Sequence, residues 1–84
     1  VSAVSRSLLP GSAEVSADGV LSVGGVPVPQ VAAQFGTPLY VYDEAHLRSR
    51  CRQAVAEFGA GRVVYATKAF LCGAMARLAH EEGL

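Results

Sequence analysis

Lysine is nearly absent from this sequence: of seven basic residues six are arginine, and Lys68 stands alone. Cysteine is almost as scarce. Cys51 and Cys72 are too few for a disulfide-rich scaffold and too far apart for a CxxC redox or zinc motif, a usage that fits a reducing, cytoplasmic setting. No run of about 18 apolar residues exists to cross a bilayer as a helix. The opening VSAVSRSLLPGSAEVS lacks the continuous apolar core of a secretory signal. Net charge is also missing, with seven acidic residues against seven basic, and the basic residues form no extended block. Neither nucleic acid nor a membrane surface is therefore expected as a partner. The densest basic cluster, Arg48, Arg50 and Arg52, interrupts a helical apolar stripe and reads as a solvated face.

What is present is a globular composition: 84 residues, 51% hydrophobic, with a mean hydropathy of +0.33. Such a length builds one modest core, and without disulfides or a metal its independent stability is doubtful. A chain that starts on Val1 and stops at Leu84 without an obvious tail is expected to be a partial sequence.

Residues 1–13, rich in serine and small residues, are expected to form a loosely held lead-in. Residues 14–36 read as a β-rich segment with a short helix. Asp18-Gly19 favours a tight hairpin turn, and Gly24-Gly25 marks a second turn or a bulge. Pro29 suits the first turn of a helix through VAAQF, which Gly36 would stop. Residues 37–84 then read as strand, helix, strand, helix. LYVY has strand chemistry after Thr37-Pro38, and Asp43 is a good N-cap. Leu47, Cys51, Ala54, Val55 and Phe58 share one helical face, and Gly59 and Gly61 end that helix. RVVYATKAF reads as a strand buried on both faces, followed by a helix with Leu71, Met75, Leu78 and Ala79 on one side and Gly83 near its end. Strand, helix, strand, helix with short connections builds parallel α/β sheets or barrels.

Alternation along this last strand puts Val64, Ala66 and Lys68 on one face and Val63, Tyr65 and Thr67 on the other. A lysine taken out of water has its ammonium form disfavoured, which leaves more nucleophilic amine near neutrality, something arginine cannot do. The carboxyl end of a strand is also where active sites of parallel α/β folds are built. Pattern alone leaves two readings open. One is a lysine snorkelling to solvent from a strand end, the commoner case; the other is a reactive amine.

The flanking residues add to this. VVYATKAF resembles the YAxKA strand of the fold-type III pyridoxal-phosphate decarboxylases, which include diaminopimelate, ornithine and carboxynorspermidine decarboxylases. Upstream, GGVPVPQVAAQFGTPLYVYDEAHLRSRCR resembles the segment preceding that lysine in the diaminopimelate decarboxylases, and KAFLC looks most like their actinobacterial form. Phe70 stands where many relatives carry asparagine. The likeness runs over roughly residues 15–84.

This resemblance implies an N-terminal fragment of a (β/α)8 TIM-type barrel, its first β/α unit, preceded by a β-rich segment of a separate β domain. Because a full barrel takes about 250 residues, the fragment alone would be inactive. It implies pyridoxal 5'-phosphate as cofactor, held by Lys68 through a Schiff base with Ala66 near the ring, although a small residue on a strand face is also ordinary packing. It implies decarboxylation of meso-diaminopimelate to L-lysine, an amino-acid substrate, a homodimer with active sites at the interface, and a cytoplasmic enzyme. The alternatives are a decarboxylase of the same fold type acting on ornithine, arginine or carboxynorspermidine, or a non-catalytic pyridoxal-phosphate-binding barrel. The last lacks a β-rich preface.

Other residues read as structural. Tyr65 points away from Lys68 toward a helical layer and is expected in the core. Cys72, one helical turn beyond Lys68, has no histidine to activate it, and Cys51 lies on the apolar stripe. His46 and His80 are expected to be solvent-exposed on helices. Asp43 and Glu44 look like helix-start residues, and Glu81-Glu82 closes a helix without metal-ligand spacing.

Overall fold

The computed structural model describes residues 5–84, so positions 1–4 of the expected lead-in lie outside the described residues. The chain divides into two compact units, Val1–His46 and Leu47–Leu84. Its secondary structure is a small α/β set, with a three-stranded antiparallel sheet and three α-helices among the described residues.

The first unit is built around the sheet. β1 (Glu14–Val15) pairs antiparallel with β2 (Leu21–Val23), and β2 with β3 (Val26–Pro27). Both glycine signals become turns. Asp18-Gly19 lies in the β1–β2 connection, where the Gly19 N–H donates to the Ser16 carbonyl at 3.0 Å and the Ser16 N–H to the Val20 carbonyl at 2.9 Å. Gly24 and Gly25 form the two-residue link from β2 to β3, both with positive φ (60° and 80°), as a turn matched to the strand twist requires. There is no bulge. α1 (Val28–Phe35) follows directly, with Pro29 in its first turn and Gly36 at its end donating to the Ala32 carbonyl at 2.8 Å.

The segment before the sheet is better anchored than its composition suggests. A short 3₁₀ turn at Arg6–Leu8 is capped by Ser5, and Ala13 is buried. The Ser12 N–H and hydroxyl donate to Oδ2 of the buried Asp43 at 3.0 and 2.5 Å. Ser12 Oγ in turn accepts the Gly24 N–H at 2.7 Å, so one carboxylate ties the lead-in, the second hairpin turn and the approach to α2 together.

The second unit is helical. α2 (Glu44–Phe58), which begins in the first unit, is capped by Asp43, whose Oδ1 accepts the His46 N–H at 3.1 Å. Its expected stripe is realised at Cys51, buried, with Leu47, Ala54 and Val55 half-buried; Phe58, at the last turn, is 70% exposed. α3 (Gly73–Glu81) buries Met75, Leu78 and Ala79. Cys51, Met75 and Leu78 form the core, and Leu47, Tyr65 and Leu84 pack against it. α3 ends on Gly83 (φ 93°), with the Leu84 N–H reaching back to the Ala79 carbonyl at 3.0 Å, a helix stop that carries Leu84 onto the core.

Three expectations are corrected. LYVY (residues 39–42) and the segment from Val63 to Lys68 join no strand ladder among the described residues. Their side chains have strand chemistry, but a strand exists only as a hydrogen-bonded pair, and parallel partners arrive after crossovers of a dozen or more residues. The Val63–Lys68 segment is also covered on one side only: Val63 and Tyr65 are half-buried, whereas Val64, at 88%, and Ala66 and Lys68 are exposed. The alternation holds from Val63 to Ala66 and ends at Thr67, which is exposed like Lys68. The last helix starts at Gly73, leaving Leu71 outside it and 54% exposed.

Candidate functional site

The residues around Lys68 form a turn at the end of the two-faced segment. The Ala69 N–H donates to the Ala66 carbonyl at 3.1 Å, which places Thr67 and Lys68 at the two central positions. Lys68 and Ala66 thus meet in one turn, both exposed, with Ala69 the other small neighbour. Burial of the amine, expected from the sequence, is not supplied by these residues, because the face that carries it is bare.

Tyr65 anchors the turn from below. Its ring packs against Cys51, Met75 and Leu78, as the alternation requires, and its hydroxyl donates to the carbonyl of Phe70 beyond the turn. Cys72 is exposed and occupies the N-cap of α3, outside the helix, so it does not lie one helical turn from Lys68.

Charge in the second unit is organised rather than merely solvated. Arg48 donates to Glu81 and Glu82, each at 2.8 Å, and Arg52 forms a two-point pair with Glu82 at 2.7 and 3.1 Å. These hydrogen bonds, from Arg52 first and Arg48 second, hold the Glu82 carboxyl below its usual range. Arg48, with 24% of its side chain exposed, departs from the expected solvated face; Arg50 donates to Gln53 at 3.2 Å. Sequence periodicity could not find these pairs, because the partners are separated by about thirty positions and a loop.

In the first unit the expectation for His46 is likewise corrected. It is half-buried, and its Nδ1 accepts the Gly11 N–H at 2.7 Å, so it works as a structural acceptor. The Ser12 hydroxyl is the main cause of a lowered Asp43 pKa, with smaller help from the Ser12 and His46 N–H groups and against the effect of burial. His80 is exposed, as expected. An open groove of about 600 Å³ runs past Val31, Phe35, Leu39, Tyr40 and Tyr42, and it is apolar without converging catalytic groups. Among the described residues no cluster of His, Cys, Asp and Glu is arranged to hold a metal, and no helix is long and apolar enough to cross a membrane. The turn carrying Lys68 presents a primary amine to solvent.

No family model matches the chain. Among curated proteins it is 54% identical over 67 residues to the diaminopimelate decarboxylase of Mycobacterium tuberculosis and 53% identical over 68 residues to that of Corynebacterium efficiens. These matches take in 79% and 80% of the chain and 15% of each relative. A diaminopimelate decarboxylase of Synechocystis is 40% identical over 84 aligned positions, covering 94% of the chain and 18% of that protein. The chain thus spans less than a fifth of the length of the curated relatives it matches.

Proposed function

We propose that this chain is the cofactor-lysine segment of a diaminopimelate decarboxylase, and that the whole enzyme removes carbon dioxide from meso-diaminopimelate to give L-lysine. The observation that carries the reading is Lys68 itself: the lone lysine, held at the tip of a defined turn, within a sequence 40–54% identical to enzymes of that name. In this reading residues 37–84 are the start of a (β/α)8 barrel, and the three-stranded sheet belongs to a separate β domain. The rest of the longer chain covers the bare face. A cytoplasmic homodimer with its active sites at the interface completes the proposal.

The cofactor would be pyridoxal 5'-phosphate, and the residues fit it. A primary amine is the group an aldehyde needs, Lys68 is exposed, and Ala66 and Ala69 leave room beside it. When bound, the cofactor supplies an electron sink for the pair released as the carboxylate departs. Lys68 Nζ would hold it covalently and, once displaced by the substrate amine, would be free to hold a proton. Ala66, on the same face, would border the ring without crowding it. Tyr65, facing the helical core, would keep that face turned outward. Orientation of the substrate, phosphate binding and exclusion of water would fall to residues beyond this segment.

Decarboxylases of the same fold type acting on ornithine, arginine or carboxynorspermidine are the second reading, and a non-catalytic pyridoxal-phosphate-binding barrel is the third. The sheet formed by residues 14–27 favours a decarboxylase over a bare barrel. The test is borohydride reduction of the complete enzyme with pyridoxal phosphate, followed by peptide mass analysis. A pyridoxyl adduct on Lys68 is expected, and its absence removes the reading. Comparison of kcat/KM for meso-diaminopimelate, ornithine, arginine and carboxynorspermidine then fixes the substrate.

A further inference from the structure

Lys68 is the third residue of a turn whose four side chains, Ala66 to Ala69, are all exposed. Within the turn, one backbone hydrogen bond, from the Ala69 N–H to the Ala66 carbonyl, closes it. A long side chain on so lightly held a turn samples many directions, and each must be given up when its amine is fixed to a ligand. Tyr65 is differently placed. Its ring is packed on Cys51, Met75 and Leu78, and its hydroxyl reaches across the turn to the carbonyl of Phe70. The side chain therefore joins the two ends of the turn and fastens both to the helical core.

We infer that Tyr65 is a positioning residue for Lys68: its ring fixes the base of the turn, and its hydroxyl closes residues 65–70 into a loop that projects the amine in one direction. The inference rests on the reading of Lys68 as the cofactor's anchor. It does not assign Tyr65 any contact with cofactor or substrate. The two parts of the side chain have separable roles. Loss of the ring would empty a place beside the core, whereas loss of the hydroxyl would leave packing intact and open the loop. Because the acceptor is the Phe70 backbone carbonyl, the side chain at position 70 does not enter.

The experiment uses the complete enzyme with Tyr65→Phe, and Tyr65→Met alongside as a second variant that keeps apolar bulk without a donor. In the cofactor-free form, amide hydrogen exchange over residues 65–70 is expected to quicken about 3- to 10-fold, the range one net hydrogen bond supplies, with the midpoint of thermal unfolding little changed. Titration with pyridoxal phosphate is expected to show affinity weakened by a similar factor. The bound cofactor's visible circular dichroism should lose intensity relative to its absorbance, since that signal depends on a fixed orientation. Exchange unchanged and affinity within twofold of the parent in either folded variant overturns the role of Tyr65. Failure of the underlying reading is seen separately: borohydride then traps no adduct on Lys68 in the parent enzyme, whatever the variants do.

Discussion

Leu78→Ala should detach α3 from the second unit's core, and the size of the effect follows from where Leu78 sits. The side chain is 6% exposed and packs with Cys51 and Met75, the other members of a core of three buried residues. The substitution removes three carbon atoms, worth about 2.4 kcal/mol at roughly 0.8 kcal/mol per buried methylene. A rigid cavity would add to that loss, but among the described residues no large side chain is completely buried, so the surroundings can close in. The expected cost is about 2–3 kcal/mol, or a roughly 30- to 150-fold fall in the ratio of folded to unfolded chain. Urea titration of the 84-residue polypeptide, followed by helical circular dichroism in a fixed concentration of stabilising osmolyte to secure a folded baseline, measures it. Phe58→Ala is the internal control: Phe58 is larger but 70% exposed, and its truncation should cost within about 0.5 kcal/mol. Equal costs for the two variants, or less than about 1 kcal/mol for Leu78→Ala, would refute the assignment of the core to this face of α3.

Acid should destabilise the chain through Asp43 and Glu82. Both carboxyls are lowered in the folded state, so the stability they confer is present above their ordinary values of 3.8 and 4.5 and is lost as pH falls through the depressed folded ones; Asp43→Asn should flatten that part of a pH–stability curve. Gly24→Ala should cost about 1–2 kcal/mol from its positive φ alone, since nothing lies within 4 Å of the added carbon, and Gly24→Asn should cost less in the same urea titration. Arg48→Ala should lower the unfolding midpoint more than Arg50→Ala, and the gap should narrow in high salt as the pairs to Glu81 and Glu82 are screened.

What could be read in the sequence was local. Gly19, Gly24 and Gly25 announce turns because few other residues accept positive φ, and the Leu47–Cys51–Val55 stripe announces a helix because its period lies within one segment. Asp43 was legible as a cap but not as the tie to Ser12, thirty-one positions away. LYVY and VVYAT have strand chemistry, but a ladder partner is a property of the whole fold and no local pattern supplies one. Lys68 stands out for a different reason, its solitude among arginines together with the resemblance of its flanks. The turn that carries it and the Tyr65–Phe70 hydrogen bond had no periodic signature.

The alternation from Val63 to Ala66 carries a rule about parity. With Val63 and Tyr65 turned to the helices and Val64 and Ala66 turned outward, every second position is equivalent and every adjacent one is opposite. Adding or deleting one residue between Val63 and Tyr65 would exchange inward for outward and take the ring at the base of the turn off Met75 and Leu78, however conservative the residue chosen. Two residues added together would keep the direction and lengthen only the reach. The distance from Val63 to Tyr65 is thus constrained as an even number before the intervening side chain is constrained as a chemical group.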